Sequence, residues 1–232
     1  MNKRSITLTV LSLSGAAMAL LRRSLYSLAV DERGLLDGQH PLGIVLWVLT
    51  VAFAVAVILI LRGENTPEFP RSPLVCALGC LALAVGAAVE FANGSFSGTG
   101  GLTRIADVCA IAALAVVCLC LCRKKAVPDW PFAVISLFFA MTLVGAYRSW
   151  SSDPQLEDYV YSLGGLVCAM LAAYQCAAGK QGREKSRLLW TVLGGFFCFA
   201  GSASGDRMIL SFTSGIFLTA SLFLFPKKKE EA

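Results

Sequence analysis

The chain has 232 residues, of which 56% are hydrophobic and only 15% charged, with a net charge of +5 and a mean hydropathy of +0.70. A soluble domain carries about 25% charged residues, so this composition excludes an ordinary water-soluble globule and points to a bilayer. The positive excess follows membrane topology, as its distribution shows below, and implies no nucleic-acid partner.

Eight apolar runs read as helices, over residues 5–30, 42–61, 73–92, 102–122, 130–147, 158–179, 188–205 and 208–225. In the first, Arg22 and Arg23 interrupt the pattern, and Leu25 to Val30 resume it. Residues 1–19 also have the marks of a secretory signal: a basic start, an apolar middle and Ala17-Met-Ala19 as a cleavage site. The resumed pattern favours a helix that continues. Leu42 to Leu61 is twenty residues without a charge, the length that a hydrocarbon core of about 30 Å demands of a helix. Tyr159 to Gly179 is a second such run. A helix apolar on every side needs lipid or other helices around it, so these are spans. Pro41, Pro73 and Pro131 stand at or near helix starts, where a missing N–H costs nothing. The expected fold is an all-α integral membrane protein of about eight transmembrane helices, one helical domain over residues 1–232.

Orientation follows from the basic residues of alternate loops. Lys3, Arg4, Arg62, Arg71, Arg123, Lys124, Lys125, Lys180, Arg183, Lys185, Arg187, Lys227, Lys228 and Lys229 fall on one side. Arg22, Arg23, Arg33, Arg104, Arg148 and Arg207 fall on the other. Nine of the 15 acidic residues share that second side: Asp31, Glu32, Asp37, Glu90, Asp107, Asp153, Glu157, Asp158 and Asp206. The basic side is the cytoplasmic one, so both termini are expected in the cytoplasm, with Lys227 to Lys229 able to touch anionic lipid.

Nine cysteines suggest a metal or a disulfide framework only until they are placed. All lie inside apolar runs, none forms a Cys-x-x-Cys pair, and the single histidine, His40, is far away in sequence. Metal sites want clustered ligands. Cys118-Leu-Cys-Leu-Cys122 has a period of two inside a predicted helix, which scatters thiols around its circumference. These residues read as small hydrophobes, and neither a metal nor a cofactor is expected.

Two turns on the outer side resemble each other. Phe91-Ala-Asn-Gly-Ser-Phe-Ser-Gly98 is matched by Phe199-Ala-Gly-Ser-Ala-Ser-Gly205, with one residue fewer and an offset near half the chain. Four helices per half preserve orientation, so a parallel 4 + 4 repeat with halves 1–125 and 126–232 is one expectation. The other is chance, since any short membrane turn uses Gly, Ser and Ala.

Ionisable residues at membrane depth are costly and therefore candidates for function. Glu90 is seventeen residues beyond Pro73, or about 25 Å along a helix, near the outer boundary. Arg104 and Asp107 are three apart, on one helix face, where they partly neutralise each other. Asp206 and Arg207 sit in a turn short enough to hold both at the outer interface. Either these five anchor the interface through local ion pairs, or they line an outward-facing ligand-binding vestibule. The centres of the remaining helices carry no ionisable residue, which argues against a proton relay.

Catalytic motifs are missing. His40 could meet a serine such as Ser95 or Ser202 only through the fold. Gly201-Ser-Ala-Ser-Gly-Asp206 matches neither the rhomboid nor the presenilin order, and no phosphate-binding loop precedes a Lys-Ser/Thr pair. The acidic neighbours of His40 give it a pH-sensor reading, set against that of a solvated loop residue before a helix-starting proline.

The stretch Arg148 to Tyr159 joins helices five and six on the outer side. Asp153 reads as a helix N-cap with Pro154 at N1, and Glu157 and Asp158 fall where the helix dipole favours negative charge. Tyr147, Trp150, Tyr159 and Tyr161 suit an interfacial aromatic belt. With Asp31-Glu-Arg-Gly-Leu-Leu36 and His40-Pro-Leu42, the segment Trp150-Ser-Ser-Asp-Pro-Gln-Leu-Glu-Asp-Tyr159 resembles a group of small polytopic membrane proteins of Firmicutes. The resemblance covers loops and helix spacing along most of the chain. It implies a bacterial inner membrane and carries no activity.

The leading expectation is a transport-type or accessory membrane component that binds a small solute or partner from outside. A scaffold whose outer loops contact another membrane protein, or an oligomer, is the alternative. An intramembrane enzyme using the outer carboxylates comes third.

Overall fold

The computed structural model describes residues 3–29, 40–63, 66–93, 100–150, 156–178, 184–203 and 207–224. Eight α-helices and no strand occur among them: α1 Lys3–Leu28, α2 Pro41–Arg62, α3 Pro73–Asn93, α4 Gly100–Cys122, α5 Trp130–Trp150, α6 Leu156–Ala177, α7 Glu184–Gly201 and α8 Met208–Ser221. Each of the eight apolar runs forms one helix. Six of them, α1 to α6, are long and apolar enough to cross a membrane. The 14 residues of α8 rise only about 21 Å. The 18 residues of α7 begin with Glu184, Lys185 and Arg187.

Local chemistry sets several boundaries. His40 is the N-cap of α2: its Nδ1 accepts the Leu42 N–H at 3.3 Å, and Pro41 occupies N1. The imidazole that sequence left between a sensor and a loop residue thus takes over an orphan backbone donor. At the end of α4, Lys125 N–H donates to Cys120 O and Lys124 N–H to Leu121 O, at 2.9 and 3.1 Å. This is a Schellman closure, and it requires the left-handed backbone found at Lys124, φ 53°. The expected Asp153-Pro154 cap of α6 lies outside the described residues.

Helices α3, α4, α5, α6, α7 and α8 form a ring in that order, closed by α8 packing on α3, with α6 also touching α8. Leu83, Leu114, Val117, Phe132, Ile135, Phe138, Phe139 and Phe217 fill it. Helix α1 packs on α7, and α2 leans on both. This second layer has its own core, where Phe53 stacks on Phe196 with centroids 3.8 Å apart. Helix α7 is the most enclosed, with neighbours in both layers, which suits its ten buried residues and lower need for a lipid-facing surface.

Small residues permit the close approaches, as expected where packing rather than hydrophobicity joins helices in lipid. The buried stripe of α1 is Ser5, Leu8, Ser12, Gly15, Met18 and Arg22. A Cβ on Gly15 would lie 2.8 Å from Phe196 Cα. Ser12 Oγ bonds Thr219 Oγ1 at 2.8 Å, tying α1 to α8. On α3, a Cβ at Gly86 would run into Thr213 of α8.

The helices alternate in direction. At one end, Lys185 Nζ donates to Gly63 O at 2.7 Å, Ser72 N–H donates to Phe223 O at 3.2 Å, and Ser5 Oγ donates to Glu68 O. The start of α1 and the end of α8 therefore share that end of the bundle. The opposite end, which charge counting assigns to the outside, gathers the polar groups considered next.

Candidate functional site

Two polar clusters occupy this opposite end. In the first, Glu90 from the last turn of α3 and Arg207, the N-cap residue of α8, form an ion pair, Nε to Oε2 3.8 Å. Arg207 Nη1 also donates to Thr142 O of α5 at 2.9 Å. Both pair members are mostly buried, with side chains 14% exposed. Asp107, on the second turn of α4, is near enough for the charges of Glu90 and Arg207 to act on its carboxylate. It is only 7% exposed. Neighbouring ring helices thus bring two carboxylates and one guanidinium to the same end of the ring, where partial burial strengthens the action of each charge.

Of the five residues expected at an outer vestibule, Glu90, Asp107 and Arg207 come together. Asp206 lies outside the described residues. Arg104 goes elsewhere: it is exposed, and it lines an apolar groove with Phe91, Ile105, Val108 and Cys109. The two charges of α4 thus separate across the edge of its buried face, where sequence spacing alone made them partners.

The second cluster was not foreseen. Arg22 of α1 is 3% exposed. Its Nη1 donates to Ala200 O at the end of α7, 2.6 Å, and its Nη2 to Tyr26 Oη, 2.9 Å. The guanidinium lies 4.3 Å from the ring centroid of Tyr161, a cation–π distance. Tyr161 Oη in turn shares a hydrogen bond with Thr50 Oγ1 of α2 at 2.9 Å, and Thr50 bonds Leu46 O. The chain of contacts links α1, α2, α6 and α7. Tyr161, expected in the interfacial belt, is 5% exposed and packs inward, whereas Tyr147 is 67% exposed and suits that belt. The only sequence signal for this cluster was an arginine that interrupts a greasy helix, six residues before its end.

The catalytic readings find little geometry. His40 is spent on its helix cap. Ser202 Oγ donates to Phe199 O at 2.6 Å, and Ser95 lies outside the described residues. Among the described residues, no group of three His, Cys, Asp or Glu side chains converges as metal ligands. All nine cysteines are free thiols. Cys76 Sγ donates to Ala220 O and Cys118 Sγ to Ala77 O, in keeping with packing between helices.

No family model, no curated protein and no solved structure matches the chain. What the molecule does must therefore be argued from its own geometry.

Proposed function

We propose that the chain is an integral membrane protein with eight crossings and both termini in the cytoplasm, working as a transport-type or accessory component that receives a small solute at its outer face. The observation behind this reading is the meeting of Glu90, Asp107 and Arg207 from three separate helices at one end of the ring. Burying three charges is costly, and a fold needs only the apolar packing already present below them. Basic loops on the opposite side support the orientation. The likeness of the loops to Firmicutes membrane proteins supports a bacterial inner membrane. The parallel repeat is proposed on the two similar turns alone; α6 lies against α7, while among the described residues their counterparts α2 and α3 do not touch.

The reading requires water to reach Asp107 from outside. In a Cys109→Ser background, Asp107→Cys is expected to react with a membrane-impermeant thiol reagent added to the outer face of intact cells. Silence at that position, in a protein that still folds and inserts, defeats the vestibule. Glu90→Gln and Asp107→Asn then separate roles. Loss of solute uptake supports transport, and loss of a co-purifying protein supports scaffolding instead.

A further inference from the structure

We propose that the groove between α3 and α4 seats a membrane lipid: one acyl chain of an anionic phospholipid, with its phosphate on Arg104. The inference needs the bundle to lie in a bilayer and uses nothing of the site at Glu90 and Asp107. The groove has a volume of about 240 Å³ and is lined by Phe91 of α3 and by Arg104, Ile105, Val108 and Cys109 of α4. The four α4 residues stand at i, i+1, i+4 and i+5, so they form one strip along a helix face. The other face of the same helix turns inward, where Asp107 and Ala110 are buried.

The order of polarity along the groove is that of a lipid. Helix α4 begins at Gly100, so Arg104 lies about 6 Å inside the helix start. Cys109 lies about 7.5 Å deeper than Arg104. The charge is therefore nearest the end of the bundle, and apolar side chains continue inward from it. An arginine in this position reaches back to headgroup level while its stem stays in hydrocarbon. Its planar fork matches two oxygens of a phosphate. Arg104 has another interaction within the protein, and five N–H donors allow a phosphate beside it.

Size and charge narrow the occupant. Pockets that enclose a drug-sized solute run from about 300 to 1,000 Å³, and this groove is smaller and open to the membrane. A length of acyl chain suits it better. A zwitterionic headgroup would bring its own ammonium towards the guanidinium, whereas one of net negative charge brings attraction alone. Exposed apolar surface by itself does not mark such a seat. Helix α2 exposes Val48 and Leu59 by more than half, yet it carries no charge between Leu42 and Leu61.

The test uses the full chain in phosphatidylcholine nanodiscs that contain a small share of phosphatidylglycerol with a photoactivatable diazirine in one acyl chain. After illumination, adducts are located by peptide mass spectrometry. Labelling is expected to concentrate on residues 105–109 over the exposed face of α2, and to fall when unlabelled phosphatidylglycerol is added. A phosphatidylcholine analogue with the same chain should label the two places alike. Arg104→Gln should lower the phosphatidylglycerol adducts at 105–109 about fivefold, and Arg104→Lys should restore part of them. Arg148→Gln, on an exposed arginine in the last turn of α5, should leave them unchanged. An equal fall with Arg148→Gln would trace the enrichment to the general charge of that end and overturn the seat. Equal enrichment by the two lipids, or adducts spread evenly over α2 and α4, would overturn it as well. So would depletion at 105–109, the mark of a groove covered by a second copy of the chain. Should Arg104→Gln fail to fold, the contrast between the two lipids in the wild-type protein decides.

Discussion

A guanidinium 3% exposed is tolerable only when its donors are met, and Arg22 meets them with a helix-end carbonyl, a phenol and an aromatic face. Ala200 O belongs to the last turn of α7, whose carbonyls lack intrahelical partners. Arg22→Leu strips that carbonyl of its donor and Tyr161 of its cation. The expected cost is about 2 kcal/mol, read as a lower midpoint of reversible unfolding in mixed micelles. Arg22→Lys should recover part of it, since an ammonium keeps the charge but has no planar fork. Equal stability of wild type and Arg22→Leu would mean that removing a buried charge offsets the lost contacts.

Between helices, the decisive features are clearances rather than attractions. Gly15 lets the α1 backbone lie against that of α7 at Phe196, and backbone cannot move aside as a flexible side chain can. Gly15→Val should cost about 1–3 kcal/mol by overpacking and loosen α1 and α2 from the ring while the ring itself persists. Faster proteolysis or exchange confined to those two helices would register it. The end of α4 offers a change of the opposite sign. Lys124 holds a left-handed backbone, which penalises a Cβ by roughly 1 kcal/mol. Lys124→Gly is expected to stabilise the protein by up to about 1 kcal/mol, so a lowered midpoint would show that the Lys124 side chain contributes more than its backbone costs.

For the whole molecule, alternation and charge make a single prediction about threading. Fusions of a reporter active only in the cytoplasm should work after Lys125 and after the last residue, and fail within 204–206. Activity at both ends of α8 would reduce the crossings below eight and leave α7 and α8 as a buried re-entrant pair. Helix α8 invites this check because it is short, and α7 because it opens on Glu184, Lys185 and Arg187. The ring gives both an alternative to lipid, since each is covered on several sides by other helices.

The helices themselves were legible in the sequence. Runs of about twenty uncharged residues allow little but a helix in a bilayer, because every backbone polar group must be satisfied within the segment. Charge alternation sorted the loops for a similar reason: it is a one-dimensional property of the chain. Sequence even named Glu90, Asp107 and Arg207, since ionised side chains beside apolar runs are conspicuous. It could not say that Glu90 and Arg207 would pair across more than a hundred residues, because helix order in the ring depends on packing of small residues such as Gly86 against Thr213. Nor could it separate Arg104 from Asp107, three residues apart, or turn Tyr161 from the interface towards Arg22. Those outcomes depend on how each helix is rotated about its axis. An all-round apolar surface leaves that rotation unspecified by hydrophobic pattern, and only contact with neighbouring helices fixes it.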